Sequence, residues 1–322
     1  MTMKEIRTAV IGVGNMGKNH ARIYAENSNL VSVADLDEEL GSSVAKTYGV
    51  KFYKDYLEMI RKEKLDAVSV VVPTKYHKDV SINTLKAGIA TLLEKPIAIN
   101  TSEAREILKI QKETKTPLMI GHIERFNPVV RKLKEIIDNN EIGDLLNLLA
   151  IRAGFQAPQT KGSDVALDLG IHDIDLFGYL TNQLPESTYI SRQKVYRDNE
   201  TDSAVIHMMY EKINGVIQTN WISQTKIRKI FITGSLSFVE ADYINQTITL
   251  HKNVILKKSY DNYYDLLSIT EGNSEEIKVE SEEPLLNELK FFLTQSDKDI
   301  HNITLGAYNA LEILENSKLL QV

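Results

Sequence analysis

Residues 8–17 read TAVIGVGNMG, an apolar run that empties into three glycines. Thr8, Ala9, Val10 and Ile11 have the character of a strand buried on both faces. Gly12, Gly14 and Gly17 stand at G-x-G-x-x-G spacing, where a turn without side chains lets the backbone approach a diphosphate at a helix N-terminus. Glycine turns with this spacing also arise for purely steric reasons, so the flanking sequence decides. A helix-compatible segment follows over 18–27, and a second apolar run, Leu30 to Ala34, ends at Asp35. Asp35 lies about 20 residues beyond the loop, where the acid of a βαβ unit meets ribose hydroxyls. A carboxylate there repels a 2′-phosphate, Asp37, Glu38 and Glu39 deepen the negative field, and no arginine lies nearby. NAD is therefore expected over NADP, with Gly12, Gly14, Asn15, Met16, Gly17 and Asp35 as contacts.

Strand and helix signals alternate from Arg7 to Ile120, the pattern of a parallel sheet covered by helices on both faces. Residues 67–72, AVSVVV, read as a central buried strand that ends at Pro73-Thr74-Lys75-Tyr76-His77. Ligands of open α/β sheets lie beyond the carboxyl ends of the strands, so Pro73, Thr74 and His77 are cofactor candidates. His77 either caps the following helix or approaches the nicotinamide ribose. The next strand delivers Glu94-Lys95-Pro96 to the same edge, so Glu94 and Lys95 join the cofactor candidates. In a partly dry crevice an ammonium can polarise a carbonyl or stabilise an alkoxide; alternatively Lys95 pairs with Glu94 on a solvated loop. The following helix has Thr101 or Ser102 as its expected cap.

The loop Gly121-His122-Ile123-Glu124-Arg125-Phe126-Asn127-Pro128 leads from one expected domain (1–122) into the other (123–322). His122, Arg125 and Asn127 are thus candidate substrate contacts, although Arg125 could equally bridge the domains and Asn127 could cap the helix expected over 129–139. From residue 145 closely spaced strand signals take over, at 145–155, 188–196, 203–210, 216–222, 229–233, 238–241, 247–250 and 254–257. They predict a large, mainly antiparallel open sheet. One helix interrupts them, 168–180, where Asp168 and His172 are four apart and share a face. A histidine suits removal of a hydroxyl proton near neutral pH, and an acid one turn away can orient it. A structural ion pair and a divalent metal site are the alternatives; a single helix face rarely offers an ion more than two such ligands, and no metal is expected. Helices are expected from Pro284 and over 305–320.

With 322 residues the chain suits two domains. A net charge of −6 and a pI near 5.7 argue against a nucleic-acid binder. The absence of cysteine excludes disulfides, thiolate metal sites and cysteine nucleophiles. Met1 to Arg7 runs into the first strand without a signal-peptide pattern, and no apolar span of about 18 residues occurs. A cytoplasmic protein with no membrane partner is expected.

Together, Gly12-Val13-Gly14-Asn15-Met16-Gly17, the Pro73 to His77 loop, Glu94-Lys95-Pro96, the Asp168/His172 pair, and Trp221 followed by Lys226 and Arg228 before Gly234 resemble the Gfo/Idh/MocA family of NAD(P)-dependent oxidoreductases across essentially the whole chain. Two places depart from the family pattern: Ser163 to Ala166 replace a glycine-rich approach, and Ser237 stands where glycine is common. The resemblance implies a Rossmann doubly wound α/β domain followed by an α+β domain with the open sheet. It further implies catalysis by Lys95, Asp168 and His172, an unusual backbone at Lys95-Pro96, and homodimers or homotetramers joined through the second-domain sheet. Residues 121–128 with 167–175 are similar to the nucleotide-sugar branch, whose members include enzymes that oxidise the 3-hydroxyl of UDP-N-acetylglucosamine. Substrate contacts would then come from Lys95, Arg125, Asn127, Arg152, Asp168 and His172, with Arg152, Lys161, Lys226 and Arg228 as cations for a diphosphate. The alternatives are an inositol or other polyol dehydrogenase and a non-catalytic dinucleotide-binding regulator.

Overall fold

The computed structural model describes residues 2–155, 164–196, 200–252 and 273–320. They form two units, Met1–Phe126 with Glu283–Glu315, and Asn127–Glu282 with Asn316–Val322.

In the first unit, β1 (Arg7–Ile11), β2 (Asn29–Ala34), β3 (Lys51–Tyr53), β4 (Ala67–Val70), β5 (Ala90–Glu94) and β6 (Leu118–Gly121) form a wholly parallel sheet in the order β3-β2-β1-β4-β5-β6. The order reverses between β1 and β4, the switch point at which such sheets bind dinucleotides. All four residues of β4 are buried, the polar Ser69 among them. The linking helices are α1 (Asn15–Asn27), α2 (Glu38–Tyr48), α3 (Tyr56–Lys62), α4 (His77–Lys86) and α5 (Thr101–Thr114). Asp37 caps α2 by accepting from the Leu40 amide at 3.0 Å. The cap of α5 is Asn100, which accepts from the Glu103 amide at 2.9 Å. That puts the cap one residue ahead of Thr101, because an amide side chain in extended backbone takes the role first.

In the second unit, α6 (Pro128–Asp138) precedes β7 (Leu145–Ala153), a π-helical turn over Ala166–Gly170 leads into α7 (Ile171–Thr181), and a run of strands follows: β8 (Ser187–Gln193), β9 (Ser203–Met209), β10 (Asn214–Asn220), β11 (Ile227–Gly234), β12 (Ser237–Asp242), β13 (Thr247–Lys252) and β14 (Ser274–Ile277). Two helices, α8 (Pro284–Thr294) and α9 (Asp297–Glu315), close the first unit, and β15 (Lys318–Leu319) returns to the second. The nine-stranded sheet runs β14-β13-β12-β11-β7-β10-β9-β8-β15, antiparallel except for β7 with β10 and β8 with β15. The strand expected over 254–257 lies outside the described residues.

The expected domain division needs correction at its end. The helices of 283–315 belong to the first unit, not the second. Leu285, Leu289, Phe292, Ile300 and Ile303 share one buried cluster with Val10, Tyr24, Met119 and Phe126. Phe291 meets Phe126 edge to face at 5.2 Å. An amphipathic helix announces that it has an apolar face but not which sheet it covers. The second expected helix also ends earlier, at Glu315, and the chain spends Lys318–Leu319 on a parallel edge strand beside β8.

Candidate active site

The glycine loop leaves β1 with Gly12 at φ +85°, a left-handed conformation that side chains resist. A Cβ on Gly17 would stand 1.9 Å from the Gly12 carbonyl oxygen, so this glycine lets α1 pack on the turn. Gly14 differs, for its Cβ would meet nothing within 4 Å. Gly14 is exposed and serves as the N-cap of α1 with no capping side chain, and no acid stands in the first turn. Neighbouring protein does not demand a glycine at 14. A diphosphate approaching the backbone does.

Asp35 at the end of β2 is half-buried. Its Oδ2 accepts from the Val13 amide at 2.7 Å and its Oδ1 from the Asp37 amide at 2.9 Å. The carboxylate therefore staples the glycine loop to β2 while each oxygen keeps acceptor capacity for a ribose hydroxyl. These residues fit a dinucleotide: Gly14 leaves room for the diphosphate and Asp35 is aimed by backbone that belongs to the same loop. Asn15 is exposed and Met16 half-buried at the start of α1.

Beyond β4, Pro73 is exposed and Thr74 opens a 3-10 turn over Thr74–Tyr76. His77 takes neither of its two expected roles. It is 1% exposed, with Nδ1 2.8 Å from the Pro96 carbonyl and Nε2 2.8 Å from the Val72 carbonyl. Burial pushes its pKa down, against the two carbonyls and Glu94. The expectation of a cofactor contact by His77 is corrected to an internal tie, because both ring nitrogens face backbone oxygens. The tie joins the loop after β4 to the turn after β5.

That turn carries Glu94 and Lys95, and the Lys95–Pro96 peptide is cis. Lys95 is half-buried and Glu94 is 8% exposed. Glu94 Oε2 accepts from the Lys95 amide at 3.1 Å, and Oε1 lies 3.2 Å from His20 Nε2. Burial alone would raise this carboxyl, yet His20 and Lys95 overcome it and hold Glu94 below the usual carboxylate range. In the loop after β6, Arg125 is half-buried in a 3-10 turn over Ile123–Phe126 and His122 is 1% exposed.

In the second unit, Asp168 lies inside the π-helical turn and His172 in the first turn of α7, 8% exposed. The expected uniform helix over 168–180 is thus replaced by a π turn running into an α-helix. Insertions of this kind inside helices are rare and concentrate at functional sites. Asp173, the next residue, is 1% exposed and holds Arg152 from β7 through two contacts, Nε to Oδ2 at 2.7 Å and Nη2 to Oδ1 at 2.9 Å. The Arg152 guanidinium also lies 5.8 Å from the centre of the Tyr243 ring. A guanidinium that is 3% exposed and gripped by a carboxylate on two nitrogens is a structural cation, which corrects the expectation of Arg152 as a substrate contact. Asn127 is corrected likewise: its Oδ1 caps α6 at the Val129 amide, 3.1 Å, and its Nδ2 donates to the Tyr243 carbonyl, 3.1 Å. Both ends of that side chain are engaged in structure. Arg228 donates to the Ala153 and Ile227 carbonyls, Lys226 is exposed, and Lys161 lies outside the described residues. Among the described residues no group of three or more His, Asp or Glu could hold a metal.

Residues 6–122 match the model of an oxidoreductase family with an NAD-binding Rossmann fold, and residues 130–239 match the GFO/IDH/MocA C-terminal domain. The chain is 30% identical over 253 residues to UDP-N-acetylglucosamine 3-dehydrogenase of Acidithiobacillus ferrooxidans, covering 77% of this chain and 78% of that enzyme. The chain belongs to the Gfo/Idh/MocA oxidoreductase family. A solved structure of the same Acidithiobacillus enzyme superposes with a TM-score of 0.84 at 25% identity, over 98% of this chain and 96% of that one. Inositol 2-dehydrogenase of Rhizobium meliloti is 30% identical over 189 residues, 56% of this chain and 57% of that enzyme, so the match spans little more than half of that relative. As a Gfo/Idh/MocA protein the chain is an NAD-dependent oxidoreductase of the sugar and polyol dehydrogenase type, built on the Rossmann and open-sheet domains that its motifs imply.

The buried partners of Glu94 were not legible as site residues. His20 and Ser69 are both fully buried, and Glu288 is a fully buried acid on α8. A weak signal exists: Ser69 interrupts an otherwise apolar strand, and His20 and Tyr24 are four apart on one face of α1. No local pattern joins them to residue 94 or 288.

Proposed function

We propose that this enzyme oxidises a ring hydroxyl of a nucleotide sugar to a ketone, with the 3-hydroxyl of UDP-N-acetylglucosamine as the first substrate to test. The observation that carries the proposal is the similarity to the Acidithiobacillus enzyme, which extends over 78% of that enzyme's sequence and includes both domains. Bound NAD supplies the acceptor for the carbon-bound hydrogen. His172 takes the hydroxyl proton on a ring nitrogen, the Lys95 ammonium donates to the oxygen as negative charge develops, and Asp168 orients the imidazole or the sugar. Arg125 and exposed Lys226 remain the cations proposed for the substrate side. Arg152, Asn127 and His77 leave the proposed set because their polar atoms are engaged within the fold.

A polyol is the second reading. It is favoured by the pairing of Arg152 with Asp173, which removes one cation from those expected to meet a diphosphate, and by the inositol dehydrogenases among the relatives. Incubation with NAD and either UDP-N-acetylglucosamine or myo-inositol, followed by NADH absorbance and mass analysis of the product, separates the two. A ketone of the nucleotide sugar supports the first reading, a keto-inositol the second, and no product from any sugar together with tight NAD binding supports a regulator.

The second-domain sheet is also proposed as the subunit contact of a cytoplasmic homo-oligomer. Its outer face carries Leu149 and Val205 at 37% and 39% exposure, and stacked Phe231 and Phe238 with centroids 6.2 Å apart. Light scattering of wild type against Leu149→Lys reads the assembly directly.

A further inference from the structure

Beneath the Glu94-Lys95-Pro96 turn runs a chain of buried polar groups that the proposed reaction does not use. The Tyr24 hydroxyl and Ser69 Oγ are 2.8 Å apart, Ser69 Oγ and His20 Nδ1 are 3.0 Å apart, and His20 Nε2 reaches Glu94 Oε1 at 3.2 Å. The other Glu94 oxygen takes the amide of Lys95 at 3.1 Å. Tyr24, His20 and Ser69 are all 0% exposed. Burial pushes the Tyr24 phenol well up, so it keeps its proton and can head the run: Tyr24 donates to Ser69, Ser69 to Nδ1, and Nε2–H to Glu94. Every hydrogen then points toward the carboxylate.

Such a network is an expensive way to fill the centre of a parallel sheet. A core of apolar side chains would be at least as stable, and buried polar runs are retained where they specify a single arrangement. This one begins on α1, crosses β4 and ends on the peptide that starts the lysine. Close enough to act electrostatically on both Tyr24 and Glu94, Glu288 from α8 is 0% exposed, and neither of its carboxyl oxygens has a hydrogen-bond partner among the described residues. The charged and titratable groups around Glu94 are therefore His20, Lys95, His77 and Glu288.

We propose that His20 is a positioning residue of the dehydrogenase, acting through Glu94: it fixes one carboxylate oxygen so that the other holds the backbone amide of Lys95 and, with it, the base of the reacting lysine. His20 touches neither substrate nor NAD in this account. Its effect is read at Lys95. The inference rests on the proposed role of Lys95, and its test does not need the sugar to be known.

Protein labelled with carbon-13 at lysine Cε gives a Lys95 signal assigned by its loss in Lys95→Met. In His20→Leu that signal is expected to move. His20→Gln, which keeps an N–H near the position of Nε2, is expected to return it toward wild type. Ser69→Ala, one link further out, is expected to shift it less and in the same direction as His20→Leu. Thermal melting and NADH fluorescence report whether each variant is folded and still binds the dinucleotide. If His20→Leu does not fold, Ser69→Ala carries the comparison, with His20→Gln as its near-wild-type reference. A Lys95 signal unmoved in folded His20→Leu, or in Ser69→Ala where His20→Leu does not fold, overturns the proposal. With a substrate in hand, kcat for His20→Leu is expected to fall roughly 10²-fold with little change in KM for NAD, and His20→Gln to recover it. A wild-type enzyme inactive on every sugar would sink the functional reading while leaving the Lys95 signal to judge His20.

Discussion

Replacing Glu288 by Gln is expected to stabilise the protein, and increasingly so as the pH rises. Glu288 is fully buried on α8, and burial first and the Glu94 carboxylate second push its pKa well above the usual carboxylate range. In the unfolded chain the same carboxyl loses its proton under ordinary acidic conditions. Between those two values the folded state binds more protons than the unfolded one, so stability falls as pH rises, by about 1.4 kcal/mol per pH unit while the proton is held. The stability is fully present below the unfolded pKa and is lost as pH climbs toward the folded one. Gln has nearly the same shape, is neutral as the protonated acid is, and has no proton to retain. The gap between Glu288→Gln and wild type should therefore widen by that amount per unit. For a domain of 150–250 residues this corresponds to roughly 3–6 °C in Tm per pH unit. Scanning fluorimetry of the apo protein from pH 5 upward is the assay. Glu94 runs the other way, its contribution being lost as pH falls through its lowered pKa. Parallel Tm curves for variant and wild type, or a variant uniformly less stable, would show that Glu288 is ionised in the fold and refute the reasoning.

Three further outcomes follow from the geometry. Gly17→Ala places a Cβ 1.9 Å from a carbonyl oxygen and is expected to disrupt folding, whereas Gly14→Ala, with nothing within 4 Å, should keep the wild-type melting temperature and lose NAD affinity; calorimetry beside thermal melting separates the two. Arg152→Met leaves Asp173 buried without its bidentate partner and should cost about 3–5 kcal/mol in urea unfolding, since breaking one half of a buried pair strands the other charge. His172→Ala and Lys95→Met should each lower turnover while NADH fluorescence titrations stay near wild type, the former by about 10²- to 10⁴-fold as expected for a general base; turnover at the wild-type rate in His172→Ala would remove it from the mechanism.

What the chain states locally, it states clearly. The run from Thr8 to Gly17, with Asp35 beyond it, specified a strand, a turn and a helix whose partners all lie within one βαβ unit. Backbone conformation and a short sequence separation are enough to write that unit, so it was legible without a fold. The five parallel crossovers and the switch from helical to strand rhythm near residue 145 were legible for the same reason, as period and turn chemistry are local properties.

Tertiary structure decided everything that depends on which distant group a side chain meets. Arg152 reads as a cation for a substrate until Asp173 closes on it, and Asn127 reads as a ligand until the start of α6 and the Tyr243 carbonyl occupy both its ends. His77 starts α4 at the ligand edge of the sheet, yet two carbonyls take its ring. The last two helices declare apolar faces, but only the packed cluster with Tyr24 and Phe126 shows that they complete the first unit. Glu288 enters the surroundings of Glu94 across nearly two hundred residues of chain, a separation over which no periodicity or motif carries information. The glycine loop was determined by the sequence because backbone geometry is local. The polar chain beneath Lys95 was not, because a hydrogen bond between remote side chains exists only once the fold has brought them together.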